Sequence, residues 1–314
     1  MDPVYSVVIP CYNEEESIGE THRRLTNVMR GMGESYELVY VNDGSRDDTP
    51  AMLDKLADGD DCVRVLHFAA NRGHQVAVSA GLDYAQGQAV VIIDADLQDP
   101  PEIIPEMAAR WKAGAGVVYG KRRSRAGESK FKEWSAKVYY RVLRKIAGDI
   151  FPEDTGDFRL VDKKVADVIR DMPEHARYLR GMFAWAGFEQ EAVLYDRDRR
   201  YAGETHYPLK KMLRLAAHGI MSFSEKPLLW ALWLGLIWLF MGGLLLLIAL
   251  VMAIAGGNAG GVMRYAVTCL ATGSILAALG ILGAYLARVY EEVKGRPLYV
   301  VARTRGYEEE NARG

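Results

Sequence analysis

Val90-Val91-Ile92-Ile93-Asp94-Ala95-Asp96-Leu97-Gln98-Asp99 is an apolar run that ends in three carboxylates. Four apolar residues in succession predict a strand buried on both faces, as in a parallel sheet. Such a strand delivers whatever follows it to the carboxyl edge, where open α/β sheets bind ligands. Acids gathered there need a cation. Asp94 and Asp96, two residues apart, can together hold a hard divalent ion, Mg²⁺ or Mn²⁺, with coordination positions left open for phosphate oxygens. Capping of the following helix is the competing explanation for an isolated Asp-x-Asp, so the surrounding chain has to decide.

Upstream the same layout repeats. Val4 to Pro10 is β-rich, and Glu14-Glu15-Glu16 ahead of Ile18, Leu25 and Val28 predicts a helix with acids in its first turn. Glu37 to Val41 is a second strand, stopped at Asn42-Asp43-Gly44-Ser45, and Thr49 to Ala57 a second helix. Val63 to Phe68, His74 to Ala85 and Ala89 to Ile93 follow as strand, helix and strand. This alternation predicts an α/β fold with a Rossmann-like, mainly parallel, doubly wound sheet. Tyr12-Asn13-Glu14, Asn42-Asp43-Gly44 and Asp94-Ala95-Asp96 then all open on one edge, which is the layout of a site. No Gly-x-Gly-x-x-Gly follows the first strand, so phosphate charge has to be met otherwise, and a metal on Asp94 and Asp96 is the available means.

Downstream of Asp99-Pro100-Pro101 the alternation weakens. A strand at Gly116 to Gly120 runs into the basic cluster Lys121-Arg122-Arg123-Ser124-Arg125. Phe131 to Ile146 interleaves Trp134, Tyr139, Tyr140 and Leu143 with Lys132, Lys137, Arg141 and Arg144. It reads either as a basic amphipathic helix on an anionic membrane surface or as an ordinary helix with a solvated face. Tyr207 to Ser222, with Lys210, Lys211 and Arg214, has the same character; residues 207–227 are expected to lie at a membrane interface.

The chain has 314 residues, half of them hydrophobic, enough for one large domain and something smaller. Charge is unevenly spread. Between Leu228 and Ala287 the only charged residue is Arg264, and the runs 228–255 and 265–287 each exceed the ~20 residues that cross a bilayer core. They predict two transmembrane helices joined by the tight turn Gly256-Gly257-Asn258-Ala259-Gly260-Gly261. Lys and Arg flank both runs, so the positive-inside rule places residues 1–206, the tail 288–314 and both termini in the cytoplasm of an inner (plasma) membrane protein. The start reads as a strand rather than a signal peptide. Cys11, Cys62 and Cys269 are widely spaced, which fits a reducing compartment. A net charge of −2 leaves no footprint for nucleic acid.

Several motifs together resemble the inverting family 2 glycosyltransferases of the GT-A fold. Within that family they resemble the polyprenyl-phosphate branch, the bactoprenol glucosyltransferases and dolichol-phosphate mannose synthase relatives. The resemblance runs through Val8-Ile9-Pro10-Cys11-Tyr12-Asn13-Glu14, Val41-Asn42-Asp43-Gly44-Ser45, Asn71-Arg72-Gly73-His74-Gln75 and Asp94-Ala95-Asp96-Leu97-Gln98-Asp99-Pro100-Pro101. It continues through Asp154-Thr155-Gly156-Asp157-Phe158-Arg159-Leu160, Arg180-Gly181 and Gly203-Glu204-Thr205-His206-Tyr207. It implies that Pro10, Tyr12, Glu14 and Asp43 receive the base and ribose of a nucleotide sugar. Asp94, Asp96 and Gln98 would meet the diphosphate, with Mg²⁺ or Mn²⁺ on the two acids. Asp157, with Asp96, would be catalytic, and Arg122, Arg125, Arg200 and Lys210 would approach the phosphate of a polyprenyl acceptor. His206 stands where relatives usually carry Lys.

The chemistry agrees with those residue types. A departing nucleoside diphosphate gathers negative charge, which a metal stabilises most when it is fully formed. The acceptor is a phosphate monoester, largely dianionic at pH 7, and barely needs a base. Asp157 can therefore orient the attacking oxygen, bind a sugar hydroxyl or stabilise the cationic anomeric centre. Two anionic substrates require arginines between them. The branch suggests UDP-glucose transferred to undecaprenyl phosphate, with GDP-mannose, UDP-GlcNAc or a UDP-modified arabinose as alternatives. A separate flippase and a downstream glycosyltransferase would handle the product, and Gly242-Gly243 suits helix packing in a homo-oligomer. A processive synthase would need a Gln-x-x-Arg-Trp motif, which is missing. An inactive membrane scaffold would have no reason to keep Asp94, Asp96 and Asp157.

Overall fold

The computed structural model describes residues 3–123, 155–196 and 260–307. The sequence alternation becomes β1 (Tyr5–Cys11), α1 (Ile18–Met32), β2 (Tyr36–Asn42), α2 (Thr49–Gly59), β3 (Val63–Phe68), α3 (His74–Tyr84) and β4 (Ala89–Ile92). After a short 3₁₀ turn at Pro101–Ile103 come α4 (Ile104–Lys112) and β5 (Val117–Arg122). Five further elements were not legible from periodicity: β6 (Thr155–Asp162), α5 (Lys163–Asp171), α6 (Leu179–Trp185), β7 (Gln190–Tyr195) and β8 (Val301–Arg305).

The strands form one sheet in the order β7-β5-β6-β4-β1-β2-β3-β8. β1 to β4 are mutually parallel, as are β5 and β7, whereas β6 runs antiparallel between β4 and β5 and β8 antiparallel against β3. Both faces are covered, which is why the central strands read as unbroken apolar runs. Val7, Ile9, Leu38, Tyr40, Val91 and Ile93 point toward α1, α2 and α4, while Val8, Val39, Val41, Val90 and Ile92 point toward α3, α5 and α6. α3 presses close to β1: a β-carbon at Gly81 would come within 2.2 Å of Val8 Cγ1. The residues after 288, read from the sequence as a tail, return to the domain as β8. There Tyr299 stacks on Phe68 with ring centroids 5.1 Å apart, and the Arg303 guanidinium binds Asp54.

The membrane assignment has to be corrected. Among the described residues no helix is long and apolar enough to cross a membrane, so placement as an integral membrane protein with a two-helix hairpin is not supported. The run at 265–287 belongs to α7 (Gly260–Val293), a single 34-residue helix. That helix does not stop where the apolar run does but continues without a break into Arg288, Glu291 and Glu292, and Glu292 binds His175, just after α5. Residues 228–255 and the basic stretches 131–146 and 207–227 lie outside the described residues.

Candidate active site

The carboxyl ends of β1, β2 and β4 are neighbours in the sheet, so the three polar clusters converge as their spacing implied. The turns there are strained. The only non-glycine residues with positive φ among those described are Asn13, at 56°, and Leu97, at 57°, one beyond β1 and one beyond β4. Asn tolerates that region, but Leu does not do so cheaply, and such strain clusters at functional sites.

At the end of β1, Pro10 is buried and Tyr12 is 44% exposed, free to face a planar ligand. The turn is tied to α2: Glu14 N–H donates to Thr49 Oγ1 at 2.8 Å, and the Glu14 carboxylate accepts from the Ser17 hydroxyl at 2.6 Å. At the end of β2, Asp43 accepts from Arg72 N–H at 2.6 Å and Gly73 N–H at 2.8 Å. It thereby fastens the loop that starts α3. Burial pushes its carboxyl up, and the two backbone bonds hold it back. Gly44 is required beside it, since φ is 65° and a β-carbon would meet Asn71 N at 2.7 Å.

After β4, Ala95 is buried and its carbonyl accepts from Thr21 Oγ1 at 2.8 Å, which anchors the turn between the two acids. Asp96 Oδ1 accepts from Gln98 N–H at 3.1 Å, so Asp96 performs part of the local capping that the competing explanation assigned to it. Asp94 differs. Its side chain is 36% exposed, yet Oδ1 is shut off from solvent and has no hydrogen-bond partner. Burial, with Asp157, Asp96 and Asp99 nearby, raises its carboxyl to about 6 even though His74 pulls it down. A shielded carboxylate oxygen without a hydrogen bond, with His74 Nε2 3.6 Å away, is a buried charge only partly compensated by the protein.

Asp157, on β6, faces the same space. Its two oxygens accept from Arg180 Nε at 2.7 Å and Nη2 at 3.2 Å, a bidentate pair, and His74 Nε2 lies 3.4 Å from its Oδ2 and 3.6 Å from Asp94 Oδ1. Burial alone would raise Asp157, but Arg180 and His74 outweigh it and hold the carboxyl well below its usual range. Burial would lower His74, yet the two carboxylates raise it to about 9. Beneath them Arg159 is buried with its guanidinium 4.6 Å from the Phe183 ring, donating to the carbonyls of Gly156 and Asp157. His74 and Arg180 were quoted in the sequence motifs but given no role. Only the fold brings positions 74, 94, 157 and 180 together.

Arg122 ends β5 on the far side of Asp157. A β-carbon at Gly156 would stand 3.4 Å from its Nη2, which puts the guanidinium one residue from Asp157. Arg122 Nε lies 3.4 Å from the Tyr195 hydroxyl, and Nη2 3.9 Å from the buried Asp99, to which Tyr195 donates. Arg125, Arg200 and Lys210 lie outside the described residues. Among the described residues no group of three or more His, Cys, Asp or Glu could hold a metal unaided. Two carboxylates with the remaining positions filled by phosphate and water is a common arrangement for Mg²⁺, and Asp94 and Asp96 fit it.

Residues 6–170 match the family model described as glycosyl transferase family 2. The chain is 46% identical over 306 residues to the glycosyltransferase YkcC of Bacillus subtilis, covering 97% of this chain and 95% of that one. It is 36% identical over 309 residues to a prophage bactoprenol glucosyl transferase homolog of Escherichia coli, covering 96% and 99%. The bactoprenol glucosyl transferase of Shigella phage SfII is also 36% identical, over 304 residues and 95% and 97% of the two chains.

Proposed function

The chain belongs to glycosyl transferase family 2, and on that premise we propose that it transfers glucose from UDP-glucose to a polyprenyl phosphate with inversion at the anomeric carbon. The observation that carries this reading is the pairing of Asp94, whose shielded Oδ1 has no hydrogen bond, and Asp157, locked by Arg180, across one imidazole. Full-length likeness to bactoprenol glucosyl transferases supports the choice of acceptor and sugar.

Pro10, Tyr12, Glu14 and Asp43 line the nucleoside end, and Asp94, Asp96 and Gln98 the diphosphate end. Mg²⁺ or Mn²⁺ held by Asp94 and Asp96 would act as a Lewis acid on the leaving diphosphate. Asp157 is too weak a base to gain much from abstracting a proton, because Arg180 and His74 stabilise its charged form. A dianionic phosphate does not need that help. Asp157 instead orients the acceptor and stabilises the developing positive charge at the anomeric carbon, while Arg180 keeps it ionised and fixed. Arg122, one residue away across Gly156, offsets the charge of the incoming phosphate.

Transfer of label from UDP-[¹⁴C]glucose and a panel of other nucleotide sugars to undecaprenyl phosphate tests the proposal. Label should move into the lipid fraction from UDP-glucose in preference to the rest. Arg122→Ala should raise the apparent KM for the lipid phosphate about tenfold with UDP affinity retained, the scale of losing one partner of a half-buried charge-assisted contact. No lipid product from any donor would refute the assignment.

A further inference from the structure

Asn42, the last residue of β2, and His67, in β3, are both buried, at 3% and 4% exposure, and neither belongs to the acidic cluster just described. Their side chains meet. Asn42 Nδ2 lies 2.9 Å from His67 Nδ1, and His67 Nε2 lies 3.1 Å from Asp54 Oδ1 on α2. A carboxylate only accepts, so Nε2 carries the proton, Nδ1 is the acceptor, and the Asn42 amide donates to it. Burial, then Arg303, keeps the imidazole pKa below its ordinary value, consistent with a single proton. The amide orientation is thereby fixed, with Asn42 Oδ1 accepting from Ser45 N–H at 3.0 Å.

The series of bonds continues toward the site. Ser45 Oγ accepts from Asn13 N–H at 3.0 Å, and Asn13 Oδ1 accepts from Arg46 N–H at 2.9 Å. These bonds hold Asn13 in its left-handed conformation between Tyr12 and Glu14. At the other end Arg303 of β8 donates to both Asp54 oxygens at 2.8 and 2.7 Å, with Arg305 Nε 3.7 Å away. We propose that Arg303, Asp54, His67 and Asn42 form a positioning relay that sets the Asn13 and Ser45 turns for the nucleotide. A strand from the far end of the chain then tunes donor affinity without touching donor. The inference rests on the reading that those turns hold the nucleoside.

The full chain provides the test, with UDP and Mn²⁺ as calorimetric probe and transfer kinetics alongside. His67→Leu should raise the Kd for UDP and the donor KM about tenfold, the scale of a buried hydrogen bond lost from a network. Its kcat should stay within about twofold of the parent, the signature of lost ground-state positioning. His67→Gln should recover most of the affinity, because its amide can donate to Asp54 and accept from Asn42. Arg303→Ala should act the same way by about threefold, and its effect should disappear in the His67→Leu background. A donor KM unchanged in folded His67→Leu, or a loss confined to kcat, overturns the relay while the nucleotide reading stands. A parent chain that binds no UDP overturns the nucleotide reading and the relay with it. Should His67→Leu fail to fold, Arg303→Ala carries the same test, and donor affinity equal to the parent's counts against the relay.

Discussion

Asp43 and Asp94 occupy equivalent places at the ends of β2 and β4, separated in the sheet only by β1, yet their surroundings are opposite. Asp43 is 3% exposed and gives both oxygens to backbone N–H groups of the loop before α3. Asp94 has a shielded oxygen with no donor and three other carboxylates close enough to raise its pKa. The residue type and the sheet edge are shared, so what separates the two is how the charge is neutralised. Permanent backbone dipoles make Asp43 part of the scaffold. Asp94 instead faces His74, whose charge can come and go with its proton.

That contrast is broken most severely at Asp157, the partner of Asp94 across His74. Asp157→Asn keeps the shape and removes the charge that Arg180 and His74 hold in place, so kcat should fall about 10²–10³-fold with UDP affinity nearly unchanged. Single-turnover transfer combined with calorimetry separates the two quantities. An unchanged kcat would remove Asp157 from the reaction. Asp96→Asn, or chelation with EDTA, should lower transfer about 10²-fold, as loss of a leading electrostatic stabiliser does. Here UDP affinity should fall as well, and full activity in EDTA would end the metal assignment.

Asp43 should respond more mildly. In Asp43→Asn one oxygen still accepts a backbone N–H, while the amide NH₂ faces the other donor. The loop is then left with an unsatisfied N–H and should lose about 1–3 kcal/mol of stability. Donor affinity should drop about tenfold through displacement of the loop, with kcat retained, which is the pattern of lost uniform binding. A collapse of kcat as large as that of Asp157→Asn would place Asp43 in the chemistry and erase the distinction.

The sheet's two halves were unequally readable. β1 to β4 alternate with helices at regular spacing and bury both faces, so their apolar runs announced both the elements and the edge where Asp94 emerges. β6 escaped because it is an antiparallel insertion whose Asp157 and Arg159 break the apolar pattern for the sake of the site. β8 escaped because Arg303 and Arg305, its edge-strand charges, resemble a solvated tail until Asp54 is seen beneath them. Asp94, Asp96 and Asp157 stand out in their motifs as candidates, and the fold brings Asp94 and Asp157 to the same imidazole. His74 and Arg180 were not, since nothing in their spacing shows that the fold sets them against Asp157. Of the two expected spans only the run at 265–287 falls among the described residues, and there it is part of a longer helix that carries on into Arg288, Glu291 and Glu292.

The smallest expected effect tests the claim that His74 stands in for a cation. Its pKa is raised from about 6.5 to about 9 by Asp157 and Asp94. A histidine raised in this way stabilises the fold fully below its unfolded value and loses the contribution as pH climbs through its folded one. Asp157, depressed in the fold, contributes above the usual carboxylate range and loses only in acid, and Asp94, raised to about 6, is mostly ionised by pH 7. Of these three groups only His74 has its main titration between about pH 7 and 9. Its side chain is 38% exposed, so solvent screening trims the effect to about 1 kcal/mol, or roughly 2–4 °C in Tm. His175 shifts in the same direction through Arg296 and Glu292, so the informative quantity is the difference between parent and His74→Gln across that window, with metal removed. The parent should lose those few degrees relative to the variant as pH rises, and Mn²⁺ with UDP should reduce the loss by taking over the neutralisation of Asp94. Identical slopes in parent and variant would mean that His74 is a neutral neighbour, and the division between a permanently neutralised Asp43 and an exchangeably neutralised Asp94 would then rest on the missing hydrogen bond to Asp94 Oδ1 alone.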